Sequence, residues 1–188
     1  MKFQFIIITA VMALSNYNAV AQKKTVKNST IHTVKPVHQK EHAFGLAVFT
    51  ALQNKDTAAW LALYPTNEEY GSILQAGLAA KAEGLTQQII DDILIRRKNE
   101  AAAAYSSQFK QYCNLADSMG VIWKDAVFQK FDFEEVYPEP VKLKYLGAVI
   151  RFNCEKKIFV IGGIQAVEIK SGIKLQSLEG IRQLAEGE

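Results

Sequence analysis

Cysteine is scarce in this chain, at two residues in 188. That excludes a disulfide-dense mini-scaffold and a four-cysteine metal cage. Proline numbers only four. Glycine never forms a phosphate-cradling run, since Gly162-Gly163 is followed neither by a helix signal nor by Gly-Lys-Ser/Thr. Histidine is missing from everything after His42, so a Ser-His-Asp or Cys-His arrangement on those residues would lack its base. The apolar run at residues 5–14 is ten long, half of the roughly 20 residues that a bilayer crossing needs. The protein is therefore expected not to span a membrane.

The first 21 residues read as a secretory leader. Lys2 supplies the positive start, FIIITAVMAL the apolar middle, and SNYN the polar stretch before Ala19-Val20-Ala21. Cleavage is expected between Ala21 and Gln22. No cysteine stands there, so a lipid anchor is not expected, and the product is an exported soluble protein, periplasmic or secreted. Export makes Cys113 and Cys154 a disulfide candidate. Closing that loop would stabilise by roughly 4 kcal/mol. The alternative is two separate buried thiols.

Charge is unevenly spread. Residues 22–40 (QKKTVKNSTIHTVKPVHQK) carry five lysines, no acid and no aromatic residue. Such a composition buries no core and is expected to be a flexible tether. Residues 41–188, read as a single domain, hold 16 bases and 19 acids. The formal +3 of the whole chain thus belongs to its N-terminal end, and a nucleic-acid partner, which wants a basic face on the fold, is not expected. His32, His38 and His42 lie at the same end. His38 and His42 can share a helix face, but no carboxylate or thiolate accompanies them in fixed geometry, so no metal and no cofactor is expected.

Periodicity divides the domain. Phe44, Ala47, Val48, Ala51 and Leu52 recur at helical spacing up to Asn54. Asp56 is an N-cap for a short helix with Trp60, Leu61 and Tyr64, broken by Pro65. Thr66-Asn67-Glu68-Glu69 is a capping box opening a third helix. A long helix is predicted from about Thr86 to Met119, with Arg96–Glu100 on a solvated face and Gly120 closing it. The pattern then alternates like strands over 121–137, 142–152, 157–170 and 173–181. Gly162-Gly163 reads as a bulge. The predicted fold class is α+β, with N-terminal helices packed on a bent C-terminal antiparallel sheet of about four strands.

This order resembles the NTF2-like superfamily, also called the cystatin-like or SnoaL-like cone. The stretches that carry the resemblance are Ala51-Leu52-Gln53-Asn54-Lys55-Asp56 leading into Trp60, the strand pair 142–152 and 157–170, and the closing strand with Ile173, Leu175 and Ile181. The predicted 86–119 helix is longer than the usual third helix of that superfamily. The resemblance implies a pocket between helices and sheet. It fixes no chemistry, because members range from ketosteroid isomerase and scytalone dehydratase to non-catalytic adaptors. It also implies that a homodimer can form through the sheet strands 142–152 and 157–170.

Carboxylate and tyrosine chemistry remains to be weighed. Asp125 stands on the apolar parity of the first strand, between Trp123 and Val127, where a buried carboxylate would be a candidate base. Trp60, Tyr64, Tyr70 and Trp123 are candidate pocket walls, and Arg151 a candidate anion clamp. Each has a plainer reading: Asp125 and Arg151 facing water, the aromatics simply core. The favoured expectation is a non-catalytic binding or interaction module taking a small ligand or an envelope protein. The alternatives are a small lyase, isomerase or hydrolase using Asp125, and a structural homodimer.

Overall fold

Why the first helix starts where it does is visible in its buried stripe. The structure, a computed structural model, describes residues 38–138, 141 and 143–185. The expected leader, its Ala21/Gln22 cleavage point and the tether through residue 37 lie outside the described residues. Helix α1 (Gln39–Gln53) begins inside the stretch expected to be tether. Glu41, Phe44, Val48 and Leu52 already form one buried line along it, at the spacing of one helix face. Ala47, expected on that line, faces solvent, and Phe49 is buried instead.

The next helices start at the caps the sequence marks. Before α2 (Thr57–Ala62), Asp56 accepts a hydrogen bond from the Ala59 N–H at 2.9 Å. At α3 (Asn67–Ala79) the box closes both ways: Glu69 N–H donates to Thr66 Oγ1 at 3.2 Å, and Thr66 N–H donates to Glu69 Oε2 at 2.7 Å. Helix α4 (Gln87–Ser118) has 32 residues, about 48 Å at 1.5 Å per residue. Four of the five residues 96–100 face solvent as expected, but Arg97 is half-buried and turns inward.

Five strands follow, where four segments were expected. They are β1 (Ala126–Val136), β2 (Lys144–Cys154), β3 (Lys157–Ile169), β4 (Gly172–Ser177) and β5 (Gly180–Gln183). All pairings are antiparallel, in the order β1-β2-β3-β4, with β5 also on β3. The last expected segment is split because β3 changes partner at its double glycine. Ala148 pairs with Ile164 and Ile150 with Ile161, so Gly162 and Gly163 together oppose Val149. Gly163 takes φ +62°, a left-handed value that costs other residues about 1–2 kcal/mol.

The first expected strand is corrected at its start. Trp123–Asp125 forms a 3-10 turn and not a strand. The Gln53 carboxamide donates to Trp123 O at 3.1 Å and to Ala126 O at 2.9 Å, which folds the backbone around it. A register shift between Phe128 and Lys130 changes the parity again. Phe128, Phe131 and Phe133 therefore pack on the core, while Val127 is 56% exposed. On β2 the alternation is regular, with Leu146, Ala148, Ile150, Phe152 and Cys154 buried. The connection between α2 and α3 is tied to the sheet by Leu175 N–H donating to Leu63 O at 2.8 Å. Among the described residues no helix is long and apolar enough to cross a membrane.

Candidate functional site

The space between helices and sheet is filled by rings. Phe152 stacks on Trp123 at 5.5 Å and on Phe159 at 5.4 Å, and Phe49 closes on the same ring at 5.5 Å. Behind them Trp60 stacks on Phe109 at 5.0 Å. Burying each such ring contributes roughly 2–3 kcal/mol by area alone, which is a reason for core and not for an open cavity. Three of the four aromatic candidates are spent this way: Trp60, Tyr64 and Trp123 are buried. The indole N–H groups of Trp60 and Trp123 have no hydrogen-bond partner among the described residues.

Tyr64 lies flat on Tyr105, with centroids 3.7 Å apart, and its hydroxyl is 3.3 Å from Gln108 Oε1. Burial pushes its pKa well above the usual tyrosine value, with the nearby Tyr112 and Tyr105 phenols adding to the shift. Tyr70 is half-buried beneath the Arg97 guanidinium, 4.3 Å from the ring centroid. Arg97 also donates to Pro65 O and to the Tyr105 hydroxyl. Sequence reasoning left Arg97 on a solvated face, since five successive polar residues give no sign of which one turns in.

The catalytic candidate is corrected. Asp125 is exposed at the end of the 3-10 turn, so the burial that would make it a base is missing. Arg151 is a surface residue, 48% exposed and 3.8 Å from Asp132. The disulfide candidate is corrected too. Cys113 and Cys154 are free and buried. Cys154 Sγ accepts from Ile122 N–H at 3.2 Å and sits 3.5 Å from Ile122 O.

One polar cluster among the described residues has no counterpart in the sequence analysis. Lys144 Nζ stands 2.6 Å from Glu41 Oε1, 2.7 Å from Glu135 Oε1 and 3.1 Å from Glu168 Oε2. Four elements meet there: α1, β1, β2 and β3. Glu41 is the buried charged residue of the described chain, 5% exposed. Its signal was legible, because position 41 lies three and seven residues before Phe44 and Val48 on the apolar face of α1. Position 144 likewise shares the inward parity of Leu146 and Ala148.

The electrostatics of this cluster are those of fixed ions. Partial burial pulls the Lys144 pKa down, but hydrogen bonds to Glu135, Glu41 and Glu168 outweigh it and hold it above the usual lysine value. Burial lifts Glu41, yet the Lys144 hydrogen bond, the residue's own N–H and the neighbouring charges leave it below the usual carboxylate value. Glu135 is lowered by hydrogen bonds from Lys144 and from Tyr137, whose hydroxyl donates at 3.0 Å. An ammonium held protonated and carboxylates held ionised are poor proton carriers near neutral pH.

A broad open depression of 380 Å³ lies against the strands β1, β2 and β3. Asp132, Glu134, Gly147, Val149, Gly163 and Gln165 are among its lining residues. At Gly147 a Cβ would meet nothing within 4 Å, so no side chain covers the strand there. Comparison with family models, with curated proteins and with solved structures gave no match.

Proposed function

We propose that this chain is an exported, non-catalytic binding or interaction module on an NTF2-like scaffold. The observation that carries the reading is the aromatic filling of the helix–sheet interior. Where an isomerase of that architecture would keep a polar cavity, Phe49, Trp123, Phe152 and Phe159 are packed ring on ring. Asp125, which would have to serve as base, faces solvent. What remains for recognition is the open depression over β1–β3. An open surface suits a macromolecular partner such as an envelope protein better than a small ligand, which is normally engulfed.

The structural homodimer is the second reading, favoured by one specific observation. Val127 and Ile158 are 56% and 47% exposed, and both flank Asn153 in the ladder, so they stand on one face of the sheet. Native mass spectrometry of protein purified from its exported compartment tests both. A co-purified protein supports the module, and a mass of two chains supports the homodimer. Turnover that Asp125→Ala abolishes would overturn the non-catalytic reading.

A further inference from the structure

The Lys144 cluster carries more negative charge than its lysine neutralises. Three carboxylates, of Glu41, Glu135 and Glu168, face one ammonium. Lys40 reaches Glu168 only at 3.4 Å, with its side chain 76% exposed, so solvent screens most of its contribution. At least one negative charge is left over in a place where Glu41 is nearly withdrawn from water. Burial of that kind is costly without a counter-charge.

A nitrogen donor stands beside the excess charge. His38 Nδ1 is 3.7 Å from Glu41 Oε2, longer than a hydrogen bond, and the His38 ring is held edge-on against Phe133 at 4.8 Å. One donor atom from each of His38, Glu41 and Glu135 lies within 4.8 Å of the other two. Ligands of a tetrahedral ion about 2.1 Å away sit about 3.4 Å apart, so side-chain movements of roughly 1 Å would close the set. Glu135 is at the half-open side of the cluster, its side chain 31% exposed, and has room to swing.

We propose that His38, Glu41 and Glu135 form a binding site for a divalent first-row transition ion, with Lys144 as the competing internal cation. One imidazole and two carboxylates suit Zn²⁺ or Co²⁺ better than Mg²⁺ or Ca²⁺, which prefer all-oxygen shells. The three ligands come from the N-cap and first turn of α1 and the far end of β1, so the ion would pin the start of the helical layer to the edge of the sheet. Along the sequence no carboxylate accompanies the histidines in fixed geometry, and the fold supplies two.

Titration of the full chain with Zn²⁺ by calorimetry, and with Co²⁺ by visible absorption, tests this. We expect one micromolar site whose Co²⁺ spectrum indicates nitrogen and oxygen ligation. His38→Ala and Glu135→Gln are partly exposed positions that leave the core intact, and each should weaken binding at least tenfold. His32→Ala and His42→Ala should not. Lys144→Met, where it folds, should tighten binding, because the competing ammonium is gone. Absence of a micromolar site in the unaltered chain would overturn the proposal, as would binding that survives both His38→Ala and Glu135→Gln.

Discussion

Lys144 Nζ lies 2.6 Å from Glu41 Oε1, joining the first turn of α1 to the first residue of β2 across 103 positions of sequence. The Glu41 side chain is 7% exposed and that of Lys144 17%, so neither charge can be rehydrated if the other is removed. Breaking a buried pair from one side costs about 3–5 kcal/mol. Lys144→Met should therefore destabilise by about 3 kcal/mol, the lower end, because Glu135 and Glu168 are partly exposed and can turn to water. Urea unfolding followed by circular dichroism reads this as a lower midpoint with an unchanged slope. Adding Glu41→Gln to Lys144→Met should restore part of the loss, and a double variant no better than the single would refute the pairing.

What was legible in the sequence follows from where the controlling contacts are. The caps at Asp56 and Thr66 are local, and each is found at its expected residue. The bulge at Gly162-Gly163 is local too and is present in the ladder. Asp125 was misplaced because its direction is set by Gln53, 70-odd residues away, which gathers the carbonyls of Trp123 and Ala126. A two-residue alternation carries no trace of that contact. Arg97 failed to stand out for the same reason, and the inward parity of Lys144 gives no sign of what it meets. Their partners (Pro65 O for one, Glu41 for the other) are assembled only by tertiary packing.

Gly163 is the position where the sheet leaves no choice of residue. Its φ of +62° is left-handed, and a Cβ placed there would lie 2.1 Å from Glu179 Cγ. Gly163→Ala should cost about 2 kcal/mol, combining the backbone strain with displacement of the Glu179 side chain. Gly147→Ala, where a Cβ meets nothing within 4 Å and no positive φ is required, should stay within about 0.5 kcal/mol. Equal losses at the two glycines would mean that the register change does not depend on the left-handed residue.

The acid limb of the stability curve should carry a mark of Glu69. Burial raises its pKa, but the Ser171 hydroxyl, the Thr66 N–H and Lys174 outweigh it and leave it below the usual 4.5. The unfolded chain, with the higher value, binds the proton first. Stability linked to Glu69 is thus present above pH 4.5 and is lost as pH falls through the lower folded value. Glu69→Gln should flatten the pH dependence below that point and leave the neutral-to-alkaline part unchanged in slope. Denaturant midpoints measured from acid to neutral pH check this, and an unaltered acid slope in the variant would refute it.

Cys113 and Cys154 are both buried, and no bond joins them. Cys154 is engaged with the backbone of Ile122, at 3.2 Å from N and 3.5 Å from O, so a bridge would have to give up that contact. Cys113 sits on α4, where burial raises its thiol pKa and the neighbouring Lys55 only partly offsets the rise. The thiolate is the reacting form, so Cys113 should react slowly for that reason, and burial keeps reagent from both thiols in the folded protein. Thiol titration of the purified protein in denaturant should find two free thiols, and under native conditions fewer than one within the same time. Cys154→Ala should cost about 1–3 kcal/mol, since the Ile122 N–H loses its acceptor and a small void opens. A count of zero thiols in denaturant would show that the chain is bridged, and a loss from Cys154→Ala of similar size in reduced and untreated protein would show that it is not.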